Sequence, residues 1–351
     1  MLAKIRVFPT FFLFLPKFTV MLKIGVLGAG HLGKIHIKCI RQTKCYELVG
    51  FYDPDPVTAK AVEEETGVHC FASVEALIDA VEVVDIVTPT VQHFDCASRA
   101  LGHRRHVFIE KPIVATPEEA SRLVKLADEA GVKVQVGHVE RFNPAFIAAE
   151  PYIKAPKFIE AHRLALFNPR GTDVPVVLDL MVHDLDILFT VIDSPVSRVS
   201  ACGVAIVSPT PDITNARIEF ENGSVANLTA SRISLKNMRK TRIFQNDAYI
   251  TVDFLEKKTE ITRIHDHEVS GYPYSLTLDL ADGAFRQITL EKPEIHPLNA
   301  IQTELESFYD SIIHNTTPVV TIHDGVRVLN LAYDILKAAE ATKDRIIEHK
   351  S

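Results

Sequence analysis

A glycine-rich turn near the N-terminus constrains the fold of this chain more than any other feature. Its sequence is Gly28-Ala29-Gly30-His31-Leu32-Gly33. An apolar run over residues 23–27, typical of a buried strand, precedes the turn, and a helical pattern over 32–41 follows it. A strand, a G-x-G-x-x-G turn and a helix in this order predict a dinucleotide-binding Rossmann unit.

Each residue of the turn has an expected task. Gly28 makes the tight turn, Gly30 lets the backbone approach a pyrophosphate, and Gly33 lets the helix pack closely on the strand. The free N–H groups at the helix start, at His31 and Leu32, would bind the phosphates. The alternative is a glycine turn that holds no ligand.

An acidic residue follows where a dinucleotide would need one. Asp53 lies 20 residues after Gly33, at the end of a second apolar run over 47–52. A carboxylate at this place hydrogen-bonds the adenosine ribose hydroxyls and repels a 2′-phosphate. The cofactor expected is therefore NAD rather than NADP.

The chain divides into two parts that differ in their predicted order of strands and helices. Strand-like runs at 83–87, 106–109 and 132–136 alternate with helical stretches at 57–65, 92–101 and 116–130, which predicts a doubly wound parallel sheet. After about residue 140, strands are expected at 199–207, 216–221, 224–232, 242–245 and 249–253, and helices at 304–314 and 325–341. Asn222-Gly223 and Asp282-Gly283 are hairpin turns.

The expected architecture follows from these two halves. An α/β Rossmann domain with a doubly wound parallel sheet should occupy residues 21–139. An α+β domain with a mainly antiparallel open sheet should occupy 140–351, for substrate binding and oligomerisation. Residues 1–20 carry Lys4 and Arg6 before a short apolar run that prolines interrupt. We expect them to be an extension outside the fold, with Met21 as the working start and a membrane anchor as the alternative.

The composition of the chain limits the classes of partner that it is expected to bind. The net charge of −7 over 351 residues argues against nucleic acid, because phosphate backbones require a basic face. The five cysteines form no C-x-x-C pair, and no Cys/His cluster has zinc spacing. Reduced thiols in a cytoplasmic protein, with no metal and no membrane partner, are the simplest interpretation.

Two places offer the base that alcohol oxidation needs. Lys111, in Glu110-Lys111-Pro112, follows a strand at the edge where open α/β sheets bind ligands, although most lysines in such places are merely solvated. If residues 179–186 are helical, Asp179, His183 and Asp186 share one face, and a carboxylate beside His183 would fix its tautomer. The alternatives are a helix start with favourable acids and an incidental histidine, or a metal site without further suitably spaced ligands.

These residues together resemble the Gfo/Idh/MocA oxidoreductase family, from residue 23 to about 340. The marks are the Gly28–Gly33 turn, Thr88-Pro89-Thr90 with His93, Glu110-Lys111-Pro112, and Asp179-x-x-x-His183. The resemblance implies that Lys111, Asp179 and His183 form the catalytic group. It implies cofactor contacts at Thr88, Pro89, His93, Glu110 and Lys111, and a homo-oligomer, a dimer or a tetramer, paired through the outer sheet face. A second Glu-Lys-Pro, at 291–293, follows no Rossmann strand and is interpreted as coincidence.

Finer features are similar to one subgroup, the UDP-N-acetylglucosamine 3-dehydrogenases. They are the entry into the second half of the chain, with Arg141 and Asn143, and the stretch leading to Asp179, with Arg163 and Arg170. Guanidinium groups bind diphosphates bidentately, so these four join Lys111, Asp179 and His183 as expected substrate-binding residues. The function expected is NAD-dependent oxidation of a sugar hydroxyl, at C3 of UDP-N-acetylglucosamine. The alternatives are a dehydrogenase of a free sugar or inositol, and a non-catalytic NAD-binding regulator.

Overall fold

Two β-sheets organise the chain. The computed structural model describes residues 20–168, 174–281 and 283–348. A five-stranded sheet lies in the N-terminal part, and a nine-stranded sheet in the rest. The expected combination of a parallel Rossmann sheet with a second, mainly antiparallel sheet is confirmed.

The first sheet is parallel throughout, in the order β2-β1-β3-β4-β5. Burial on both faces explains its continuous apolar runs. Its strands are β1 (Leu22–Leu27), β2 (Tyr46–Tyr52), β3 (Val83–Ile86), β4 (His106–Glu110) and β5 (Val134–Gly137).

The helices between these strands begin and end where local chemistry dictates. They are α1 (His31–Gln42), α2 (Pro56–Thr66), α3 (Val74–Ala80), α4 (Thr90–Gly102) and α5 (Pro117–Ala130). Thr116 and Glu119 form a capping box at the start of α5, and Gly131 ends it in a left-handed conformation. The short α3, whose Ser73 side chain caps its N-terminus, was not predicted.

The second sheet has the order β13-β14-β12-β11-β10-β6-β9-β8-β7, and all neighbours are antiparallel except β6 and β9. Gly223, at φ +81°, turns the chain between β8 and β9, which confirms the Asn222-Gly223 hairpin. Asp282, of the other predicted turn, lies outside the described residues. The strands are β6 (Phe158–Leu164), β7 (Val196–Val204), β8 (Ile213–Phe220), β9 (Val225–Ser231), β10 (Met238–Phe244), β11 (Ala248–Asp253), β12 (Lys258–His265), β13 (Tyr274–Asp279) and β14 (Phe285–Glu291).

Four further helices join the two sheets: α6 (Pro144–Ala149), α7 (Val182–Val191), α8 (Ala300–Ile313) and α9 (Ile322–Glu348). The last of them packs on α5 and β5 on one side and on α7 and β7 on the other, while α8 packs against α1. A 3-10 turn over Val139–Phe142 follows β5. The predicted domain boundary, between residues 139 and 140, would fall inside this turn and stays a prediction. Among the described residues we find no helix with the length and apolar content that crossing a membrane requires.

The packing of α8 on the first sheet yields a stability prediction. Phe308 is fully buried, and its ring meets Phe108 of β4 edge-on at a centroid distance of 6.0 Å. Phe308→Ala should lower the free energy of unfolding by about 3–5 kcal/mol, because it leaves a cavity in a packed core. Ile313→Ala, at a half-exposed position of the same helix, is the control and should cost less than ~1 kcal/mol. Chemical denaturation followed by circular dichroism measures both, and equal losses would contradict the assigned packing.

Candidate active site

The glycine turn closes the carboxyl edge of the first sheet. Gly28 has φ +93°, and a Cβ there would lie 2.7 Å from the carbonyl oxygen of Val87. A Cβ on Gly33 would lie 2.0 Å from the carbonyl oxygen of Gly28. Only glycine therefore permits β1, the turn and α1 to approach as they do.

The space above this turn fits a dinucleotide pyrophosphate. A Cβ on Gly30 would meet nothing within 4 Å, and α1 begins one residue later with its first-turn N–H groups at His31 and Leu32. The Thr88 hydroxyl, just after β3, is buried and has no hydrogen-bond partner among the described residues. Asp53 follows β2, and its Oδ2 accepts a hydrogen bond from Ala29 N–H at 2.8 Å, which holds the carboxylate beside the turn.

Lys111 follows β4 at the same edge and reaches across to the second half of the chain. Its Nζ donates a hydrogen bond to the carbonyl oxygen of Asp179 at 2.7 Å and lies 3.8 Å from Asp179 Oδ1. Burial lowers the pKa of the Lys111 amine, although the charges of Asp179 and Glu110 oppose that shift. The amine is therefore a cation that gives up its proton more readily than a surface lysine does.

Asp179 lies in an irregular helical turn. Residues Val177–Met181 form a π-helical turn, and α7 continues from Val182. The wider turn changes the expected spacing, and the Asp179 carboxylate faces Lys111. The structure shows no hydrogen bond between Asp179 and His183 among the described residues. Asp186 is bonded to Arg141 instead of facing the substrate side freely, and the expectation that Asp179, His183 and Asp186 share one helix face stays a prediction.

His183 is the second residue of α7. Its Nδ1 is buried and has no hydrogen-bond partner in the described part of the chain. Burial, followed by the positive charges of Lys111 and Arg163, holds the pKa of His183 well below its usual value. The imidazole is consequently neutral at physiological pH and free to accept a proton.

A second imidazole borders the site and was missed as a site residue. His138 directly follows β5, is 1% exposed, and has no hydrogen-bond partner for either ring nitrogen among the described residues. Burial lowers its pKa, and its charge would act on that of His183. Its place after a Rossmann strand, within a motif already singled out, was the available signal.

The two arginines expected to bind a diphosphate have partners inside the protein, which corrects that expectation. Arg163 is 2% exposed and bonds both carboxylate oxygens of Asp184, at 2.9 and 3.0 Å, and Glu140 at 2.9 Å. Arg141 bonds both oxygens of Asp186, at 2.8 and 2.6 Å. Arg170 lies outside the described residues.

Three other expected ligand contacts also prove internal. The ring nitrogens of His93 lie 2.9 Å from the carbonyl oxygens of Thr88 and Pro112, so this buried ring braces two loops of the cofactor edge. The Glu110 carboxylate faces inwards, with Oε1 3.2 Å from His36 Nε2. Asn143 caps α6 and donates to Glu140. Their polar atoms are engaged by the protein, so direct contact with cofactor or substrate is not proposed for them.

The comparisons with known proteins agree with this architecture. Residues 22–138 match the model of an oxidoreductase family with an NAD-binding Rossmann fold, GFO_IDH_MocA, and residues 165–251 match a C-terminal domain of that family. A curated relative, UDP-N-acetylglucosamine 3-dehydrogenase of Acidithiobacillus ferrooxidans, is 34% identical over 92% of this chain and 99% of its own. The chain belongs to the Gfo/Idh/MocA family. It is an NAD-dependent oxidoreductase.

Two solved structures and a more distant relative are also similar to this chain. A crystal structure of the Acidithiobacillus enzyme has a TM-score of 0.82 at 33% identity, covering 92% of this chain and 99% of that one. An inositol 2-dehydrogenase of Rhizobium meliloti is 27% identical over 88% of this chain and 94% of its own. A scyllo-inositol dehydrogenase from Lactobacillus casei, solved with NAD(H), is 21% identical with a TM-score of 0.73, covering 92% of this chain and 98% of that one, and shares the fold.

The glycine turn yields a paired prediction about the cofactor. Gly30→Ala should leave stability nearly unchanged and weaken NAD binding at least tenfold, because the new methyl group enters space that is open without cofactor. Gly33→Ala should lower stability in the absence of cofactor as well, because its methyl group meets backbone. Thermal melts and NAD titration calorimetry measure the two effects. Unchanged NAD affinity in Gly30→Ala would place the cofactor elsewhere.

Proposed function

We propose that this protein oxidises the C3 hydroxyl of UDP-N-acetylglucosamine to a ketone with NAD. The observation that carries the proposal is that Lys111, whose amine Asp179 holds at the cofactor edge, lies near enough to His183 for its charge to lower the pKa of that imidazole. A cationic amine and a neutral imidazole are what alcohol oxidation needs from the protein. The substrate is taken from the similarity to the Acidithiobacillus enzyme.

Each residue of the site has a separate role in the proposed reaction. His183 accepts the proton of the substrate hydroxyl, because burial and adjacent cations keep its imidazole neutral. Lys111 donates a hydrogen bond to the same oxygen and stabilises the negative charge that develops there. Asp179 holds Lys111 in place through its carbonyl oxygen and carboxylate. NAD, when bound, would supply the acceptor for the hydride that leaves the carbon. Gly28, Gly30, Gly33 and Asp53 would hold it.

The diphosphate of the substrate needs another cation, since Arg141 and Arg163 are engaged. Arg239, on β10, has a side chain that is 52% exposed, and it lies 3.9 Å from Glu140. Its positive charge lowers the pKa of both Lys111 and His183, so its guanidinium lies near the site. We assign Arg239 to the diphosphate because its side chain is half-exposed and its guanidinium lies near Lys111 and His183.

Two alternatives remain distinguishable by assay. A free sugar or inositol dehydrogenase is suggested by the relatives at 27% identity, and would turn over a polyol but not the nucleotide sugar. A non-catalytic NAD-binding regulator would bind cofactor without turnover on any sugar. Lys111 and His183 favour an enzyme, because a regulator needs no proton acceptor.

We also propose a cytoplasmic homo-oligomer, paired through the outer face of the second sheet. That face carries the stacked rings of Phe244 and Tyr249, with Phe158 tilted against Phe244, and β13 is exposed along its length. All five cysteines are free thiols, as a reducing compartment requires.

The activity is tested by supplying NAD and UDP-N-acetylglucosamine and following NADH absorbance. Lys111→Ala and His183→Ala should each lower kcat/KM by about 10²–10⁴-fold, because each removes a group that acts on the reacting oxygen. Lys125→Ala, at an exposed position of α5, is the matched control and should keep full activity. Turnover of free polyols alone would overturn the substrate, and full activity in His183→Ala would overturn the mechanism.

The low proton affinity of His183 predicts a pH profile. Its folded pKa lies below the usual value, so its neutral form persists at acid pH and is lost only as the pH falls through that lowered pKa. We expect kcat/KM to hold steady through pH 6.5 and to fall on the acid side well below it. An acid limb at or above pH 6.5 would show that another group accepts the proton.

A further inference from the structure

The start of α7, which carries His183, is held by two buried guanidinium groups. We propose that Arg163 is a positioning residue: its guanidinium clamps Asp184, fixes the neighbouring His183 against Lys111, and keeps that imidazole in its proton-accepting form. The inference rests on the proposed role of His183 as base.

The clamp is bidentate and buried. Arg163 Nε and a terminal nitrogen donate to the two carboxylate oxygens of Asp184, at 2.9 and 3.0 Å. The remaining terminal nitrogen donates to Glu140 Oε1 at 2.9 Å. Both acids are less than 9% exposed, as is Arg163 itself. A planar group with three such bonds cannot rotate, so Asp184 and the backbone that leads to His183 are fixed with it.

The clamp joins three parts of the fold. Arg163 comes from β6, Asp184 from α7, and Glu140 from the 3-10 turn after β5. Glu140 also accepts a hydrogen bond from Asn143, which caps α6. The Rossmann edge and the second sheet therefore meet at one guanidinium, and α7 has little freedom to move relative to Lys111.

The guanidinium also acts on His183 through its charge. Burial lowers the pKa of His183 most, and Lys111 and Arg163 follow as the next causes. The groups whose charges lower the pKa of His183 are Lys111, Arg163, His138 and Arg239. Two carboxylates lie beside these cations, Asp179 at Lys111 and Asp184 at Arg163. Because Arg163 cannot lose its proton, its contribution persists at every working pH.

Removing the cation, Arg163, and removing its anion, Asp184, should shift the pKa of the His183 imidazole in opposite directions. Arg163→Met deletes the positive charge and leaves acids behind, so the protonated imidazole is favoured and its pKa rises. Asp184→Asn deletes a negative charge and leaves the guanidinium, so the pKa falls. Arg163→Lys keeps the charge and loses the bidentate geometry, so kcat should drop while the pKa stays near that of the unmodified protein.

Two measurements follow the titration. One is the acid limb of kcat/KM with NAD and UDP-N-acetylglucosamine. The other is an NMR titration of the His183 ring in the full-length protein without cofactor, assigned by comparison with His183→Ala, which does not depend on the sugar. Arg163→Met should raise both values by about one pH unit, in the range that a nearby charge produces.

A matched control separates this effect from general damage. Arg141→Met breaks a second bidentate pair, with Asp186 on the same helix, but Arg141 is not among the main causes acting on the His183 pKa. It should cost stability without raising the acid limb. If Arg163→Met lowers activity equally at all pH values with an unmoved ring titration, the proposal is wrong.

The remaining outcomes are also decisive. If Arg163→Met does not fold, Asp184→Asn and Arg163→Lys carry the test, and an Asp184→Asn titration that stays in place or rises overturns the proposal. If His183→Ala keeps full activity while the ring titration moves as expected, the role of His183 as base fails, although the oxidation of the sugar and the electrostatic control by Arg163 stand.

Discussion

One hydrogen bond holds the candidate site together: the Lys111 amine donating to the carbonyl oxygen of Asp179. Lys111 belongs to the parallel sheet and Asp179 to the helical turn that opens α7, so this contact brings two separate parts of the fold to one point. The amine is available because β4 ends at the ligand-binding edge of the sheet. The carbonyl lies within a π-helical turn, whose hydrogen-bond pattern differs from that of an α-helix.

Burial then gives the two nitrogen groups different tasks. Burial lowers the pKa of Lys111 and of His183, but at Lys111 the charges of Asp179 and Glu110 oppose the shift, whereas at His183 the charges of Lys111 and Arg163 add to it. Lys111 therefore stays a cation and His183 stays neutral, because their surroundings shift the balance of charged and neutral forms differently. Pairs of titratable groups whose environments hold them in different charge states are typical of acid–base sites.

The sequence predicted the parts of this site that rest on local geometry. The Gly28–Gly33 turn and the Gly223 hairpin are each set by neighbouring residues, and both appear as expected. The expected contact between the Asp179 carboxylate and His183 is not among those the described residues make, because Asp179 lies in a π-helical turn and its carboxylate faces Lys111. The strands β6 and β12 were not predicted, and β13 and β14 only as the flanks of the Asp282-Gly283 turn.

The arginines show where sequence reasoning ends. A guanidinium near a substrate site suits a diphosphate and a buried carboxylate equally well, and only the fold reveals which of them it meets. Arg141 and Arg163 meet Asp186 and Asp184, two carboxylates of one helix. Buried ion pairs add little net stability, because desolvation offsets most of the attraction. The Arg163–Asp184 pair is therefore better explained by the role proposed for it, which is to fix the orientation and the charge state of His183, than by the stability of the protein.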